Sequence, residues 1–216
     1  MIRSMVSVSA AVAVSGSVVG ASQAQTWPQF MWDGGMKHVL IGFDGQDLSM
    51  EIDPASTTLP LPLEMRTFGE SYSGNASVLD GSFYSSQFGF LANDTIQLPS
   101  GGAIFIEMGD SSDGLRVYEG GRRMMRDTHT YAPIFGTDGS DSVWEWNGQM
   151  HHPWFAVDSV GTYEAEFRVF IGDALTGEAL PGFGSADATL SWTAVPAPAS
   201  AVLLGLGGLA AARRRR

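Results

Sequence analysis

Between Gln25 and Ala194 no stretch carries the three-to-four-residue apolar spacing of a long amphipathic helix, whereas apolar side chains recur at every second position in segment after segment. A period of two belongs to strands with one face buried, and turns placed between such segments make a sandwich or barrel. The 27 glycines and the abundance of aromatic residues supply the turns and a bulky core. The predicted class is therefore all-β, an antiparallel β-sandwich of Ig-like or jelly-roll character. No cysteine is present, which removes a disulfide framework, a thiolate metal site and a cysteine nucleophile together. Stability must come from burial, and a chain of this length closes one core.

Several strands are legible individually. Val39, Ile41 and Phe43 alternate with His38, Leu40 and Gly42, Asp44-Gly45 is a hairpin signal, and Leu48, Met50 and Ile52 alternate on the return. Pro54 to Pro62 reads as an irregular connection. Strands are predicted around Ser77 to Leu79 and Phe83 to Phe90, and more clearly over Ala103 to Met108 and Leu115 to Tyr118. Val143 to Trp146, the Asn147-Gly148 turn and Met150 to Val157 read as a second hairpin. From Glu164 to Ile171 the apolar residues Ala165, Phe167, Val169 and Ile171 share one face with Tyr163, leaving Glu164, Glu166 and Arg168 on the other. The Asp158-Ser159-Val160-Gly161-Thr162-Tyr163 approach resembles a tyrosine corner, whose phenol bonds back to the upstream backbone. Ala188 to Ala194 supplies the last strand.

The two ends are of another kind. Met1 to Ala24 has Arg3, an apolar run from Val6 to Ala21 and Ser22-Gln23-Ala24 as a small-x-small site, which is the make-up of a signal peptide with a helical apolar centre cleaved after Ala24. The ectodomain is then 25–194. At the other end Val195-Pro196-Ala197-Pro198 leads into an apolar run from Ala199 to Ala212 and a basic block, Arg213, Arg214, Arg215 and Arg216. Proline at two of four positions keeps the entry extended. The apolar run falls short of the about 20 residues that span a bilayer, so a transmembrane helix here draws in its flanks, with the arginines on the cytoplasmic side.

This tripartite tail resembles the PEP-CTERM sorting signal, although Ala197 stands where that signal usually has glutamate. The resemblance implies an exosortase as processing partner, initial anchoring in the inner membrane by the C-terminal helix, and final placement at the cell surface, outer membrane or extracellular matrix of a bacterium. The other reading is a plain C-terminal membrane anchor. Without Arg3 and Arg213 to Arg216, seven basic side chains remain against 23 acidic ones, net −16 compared with −11 for the whole chain. On that balance nucleic acid is not expected as a partner; divalent cations or solubility alone fit it, and a cell-surface or matrix polysaccharide is a further expected partner. Arg122, Arg123 and Arg126 gather much of the remaining basic charge in one loop, either a solvated turn or a contact for an anionic surface.

There are four histidines, His38, His129, His151 and His152. His151-His152-Pro153-Trp154-Phe155 followed by Gly161-Thr162-Tyr163 and Phe167, with the early His38-Val39-Leu40-Ile41-Gly42, is similar to a family of surface-anchored domains, some with PEP-CTERM tails and links to zinc-regulated genes. Leu40 and Gln149 depart from its acidic and histidine positions. That resemblance implies zinc binding. Zinc takes imidazole and carboxylate ligands in fours, and the candidate set is His38, His129 and His151 with Asp53 or Asp127. Neighbouring strand residues face opposite ways, so His151 and His152 join one site only at a break, which Pro153 marks. Calcium is the competing ion, through the acidic turns Asp110 to Asp113 and Asp138 to Asp141; the alternative in every case is an ordinary structural side chain. No Gly-x-Ser-x-Gly elbow or His-Glu-x-x-His helix occurs, and a non-enzymatic protein is expected.

Overall fold

The computed structural model describes residues 26–30, 35–54, 59–122 and 125–196. These residues are mostly β-sheet, in twelve strands: β1 (Lys37–Phe43), β2 (Leu48–Ile52), β3 (Leu63–Arg66), β4 (Phe83–Ser85), β5 (Phe88–Ala92), β6 (Gly102–Ser111), β7 (Arg116–Gly121), β8 (Pro133–Ile134), β9 (Val143–Trp146), β10 (His152–Val157), β11 (Gly161–Asp173) and β12 (Ala186–Val195). Three strands form a small sheet in the order β2-β1-β5, and nine form a long one in the order β8-β7-β10-β4-β3-β12-β11-β6-β9.

The apolar positions of both sheets meet in one core. Val39 and Ile41 of β1, Phe88 and Phe90 of β5, Phe155 of β10, Phe167 of β11 and Trp192 of β12 are all at most 1% exposed. Phe155 lies 4.4 Å from Trp192, centroid to centroid, and Phe88 packs edge-on to the same indole at 5.3 Å. The ends of the long sheet also approach each other: Phe135, just after β8, meets Trp144 of β9 at 6.0 Å, and the Gly136 amide donates to the Asp141 carbonyl. A sandwich thereby curls toward a barrel, which buries apolar faces that an open nine-stranded sheet would leave wet.

Pairing departs from the sequence expectation in three places. Two neighbours, β1 with β5 and β12 with β3, run parallel, a direction that local alternation does not encode. Val143–Trp146 does not form a hairpin with the chain after Asn147-Gly148: β9 pairs with β6, through Ile104↔Trp146 and Ile106↔Trp144, while β10 pairs with β4 and β7. The turn is real, with the Gln149 amide bonded to the Asn147 side chain, but β6 offers the ten-residue edge that β9 fills. Ser77 to Leu79 belongs to a 3₁₀ turn over Gly74–Leu79, which buries Ala76 and Leu79, not to a strand. The β1–β2 hairpin and the alternation of β11 match the expectation.

Before β11 the Tyr163 hydroxyl donates to the Ser159 carbonyl at 2.9 Å, as the tyrosine-corner reading anticipates. Tyr163→Phe removes that bond and keeps the ring. The expected cost is about 1 kcal/mol, measured by urea unfolding against the parent; no change would mean that water replaces the bond fully.

Candidate functional site

A second cluster of rings covers the outward face of β4, β10 and β7. Tyr84, Tyr118, Trp154 and Ala156 project there because their neighbours Phe155 and Val157 point into the main core. The 3₁₀ turn at Gly74–Leu79, Tyr72, Tyr131 and the segment 26–30 lie over them. Tyr72 and Tyr84 share a hydroxyl contact at 2.6 Å, the Gln29 amide donates to the Tyr84 hydroxyl at 3.0 Å, and the Ser73 amide donates to the Thr26 carbonyl. Burial raises the Tyr84 phenol far above its ordinary range, with the Tyr72 hydroxyl adding to the effect, and burial pushes Tyr131 up to about 12. Both are neutral phenols that act as hydrogen-bonding and packing groups.

The histidines border this cluster. His152 is fully buried. Its Nδ1 lies 3.1 Å from the Ser86 carbonyl and 3.0 Å from that of Phe88, so Nδ1 carries the proton and Nε2 carries the lone pair. The ring rests over Gly89, where a Cβ would come within 2.3 Å of it. Gly89 is the register partner of His38 across β1 and β5, which puts the two imidazoles 6.2 Å apart. His38 lies 4.0 Å from the Asp53 carboxylate. His151 exchanges both backbone hydrogen bonds with Phe90 and lays its ring against Trp144 at 4.6 Å. Pro153 falls at a register irregularity between His152 and Trp154, the break anticipated there.

Burial dominates the electrostatics. It lowers His151 to about 4, with the neighbouring His129 adding a smaller effect. It lowers His152 to about 3, against the opposing pull of the Ser86 and Phe88 carbonyls. Both rings are neutral at pH 7, and the Nε2 atoms of His38, His151 and His152 are buried without a hydrogen-bond partner.

This arrangement differs from the zinc set expected above. His129 accepts a hydrogen bond at Nδ1 from the Trp154 indole at 3.0 Å, so its proton sits on Nε2 and its lone pair is engaged. Metal ligation at Nε2 would move that proton to Nδ1 and break the Trp154 bond. His38 faces His152, whereas His151 faces Trp144, and Asp127 is exposed in the 3₁₀ turn Arg126–Thr128. Among the described residues no three or more His, Asp, Glu or Cys side chains are gathered to hold a metal ion. The set His38, His129 and His151 is therefore not assembled among the described residues, and neither acidic turn gathers three carboxylates.

Val195 ends β12, one residue beyond the expected domain boundary, in parallel register with Arg66; Pro196 follows it. Ala24, Ala197, Pro198, Arg213, Arg214, Arg215 and Arg216 lie outside the described residues. No helix among the described residues is long and apolar enough to cross a membrane. What the sequence reading missed is the 26–30 segment: Trp27 and Phe30 are two aromatic residues shortly after the expected cleavage site, a signal that carries no periodicity. Phe30 sits within 5.4 to 5.6 Å of the His129, His152 and Trp154 rings, edge-on to all three. Compared with known proteins, the chain matches no family model and no curated protein.

Proposed function

We propose that this is an exported, non-enzymatic surface or extracellular-matrix protein, a sandwich of Ig-like or jelly-roll character, sorted by a PEP-CTERM-type tail that an exosortase processes. The observation that carries the reading is the order of zones in the tail: Val195-Pro196-Ala197-Pro198, the apolar run and the four arginines. The signal peptide at the other end delivers the body across the inner membrane, and the apolar run holds it there until processing. The acidic body is then displayed outward, soluble by its charge, where a cell-surface or matrix polysaccharide is the partner class. The alternative, a zinc- or calcium-binding ectodomain, has no group of three or more His, Asp, Glu or Cys side chains to support it among the described residues.

The test is the C-terminal peptide of the surface form by mass spectrometry. The expected mature chain begins at Gln25 and lacks Arg213 to Arg216. An intact Arg216 on surface-exposed protein would replace exosortase processing with a plain anchor.

A further inference from the structure

The segment 26–30 and the loop after β7 enclose a pocket of about 110 Å³. Its walls are the rings of Trp27, Phe30, Tyr131 and Trp154. Tyr131 stacks on Trp154 at 5.6 Å and 22°, and Phe30 meets Trp154 edge-on at 5.6 Å. At the rim stand three polar groups, His129, the exposed Gln29 and Arg126, whose guanidinium lies 5.5 Å from the centre of the Trp27 ring. No carboxylate lines the pocket, and no ion pair among the described residues involves Arg126.

We propose that this pocket binds the ring of an acidic sugar, a uronic-acid unit of a polysaccharide, with the pyranose face on the aromatic walls and its carboxylate on Arg126. The site's identity does not depend on the tail; only the place where the polysaccharide is met rests on the surface-display reading.

Three features select this ligand. Trp27 and Phe30 are the part-exposed rings of the pocket, with Tyr131 and Trp154 almost fully buried behind them; aromatic faces beside a few convergent polar groups make up a small-molecule site, and a pyranose is the common solute with an apolar C–H face and a polar hydroxyl edge. The volume, below the about 300 Å³ of an ordinary ligand pocket, admits at most one ring, seated at its mouth. The guanidinium is the part an uncharged ligand would waste: it carries a planar fork of donors that matches a carboxylate with two parallel bonds. It stands in a body whose basic side chains are outnumbered seven to 23 between the two terminal segments, so a cation set in the pocket discriminates for anions against the field of the whole protein. A quaternary ammonium would suit the rings but is repelled by Arg126. A bare phosphate satisfies Arg126 but leaves the rings unused.

The test uses the purified full chain in mild detergent, read by tryptophan fluorescence and calorimetry, with trigalacturonic acid and the neutral galactose trimer as probes. Trigalacturonic acid is expected to bind saturably, at least tenfold more tightly than the neutral trimer. Arg126→Gln and Trp27→Ala are each expected to weaken it at least tenfold with unchanged thermal unfolding, while Arg122→Gln, on the same loop but outside the pocket, changes affinity less than twofold. Absence of saturable binding would overturn the proposal, as would equal affinity for the neutral trimer, equal competition by acetate, or a loss in Arg122→Gln matching that in Arg126→Gln. Each of these results is independent of whether Arg213 to Arg216 are removed in the cell, so failure here and failure of the sorting reading are told apart.

Discussion

Gly120→Ala is expected to destabilise the protein by about 3 to 5 kcal/mol, among the largest effects of any single methyl addition. A Cβ at Gly120 would lie 1.5 Å from the His152 carbonyl oxygen and 3.2 Å from the Pro153 Cα. Both are backbone atoms, so no rotamer change relieves the contact; β7 and β10 must part where their register already slips between His152 and Trp154. Parting them unseats His152 and Trp154, two residues at most 1% exposed. Thermal unfolding is expected about 10 °C lower. Gly109→Ala is the control, since its Cβ would meet nothing closer than 3.9 Å. Equal melting temperatures for the two variants would show that the strands separate at no cost.

The second large effect is acid sensitivity above the range where carboxylates titrate. In the unfolded chain an imidazole takes up a proton below about pH 6.5; in the folded chain burial holds His151 neutral down to about 4 and His152 down to about 3. The unfolded state therefore binds more protons between those limits, so stability is full above pH 6.5 and falls as the pH drops toward the folded values. The slope is about 1.4 kcal/mol per pH unit for each histidine. Urea unfolding at pH 7.5 and 5.0 is expected to differ by about 3 to 4 kcal/mol, and His151→Gln to remove about half of that difference. A flat profile between the two pH values would mean that both imidazoles are open to water in the fold.

What the residues revealed in advance was whatever short-range pattern decides. Asp44-Gly45 sits between two alternating runs, and β1 and β2 pair across it, Phe43 opposite Leu48. The alternation of β11 separates its buried from its exposed side chains, and Tyr163 closes onto Ser159. Asn147-Gly148 carries an equally strong local signal, yet the strand before it joins β6, some 40 residues earlier, because partner choice is settled by which edge stands open. The histidines behave likewise. Their number and the break at Pro153 were legible, but the tautomer of His152 depends on carbonyls 64 and 66 residues away and that of His129 on an indole 25 residues away. No spacing rule reaches that far. Trp27 and Phe30 escaped for a simpler reason: two rings in a five-residue segment have no period to detect.

The place of β12 has a consequence for the order of assembly. It is the last strand among the described residues, yet it lies in the interior of the long sheet, with nine register pairs to β11 on one side and four to β3 on the other. A polypeptide that emerges N-terminus first has therefore made every other strand before β3 has anything to join to β11. Until residue 195 has emerged, the sheet remains two unconnected pieces, and Trp192, fully buried in the finished core, is missing from between them. Completion of the fold thus waits for Ala186–Val195, and a chain cut short before that strand has no way to join the two pieces.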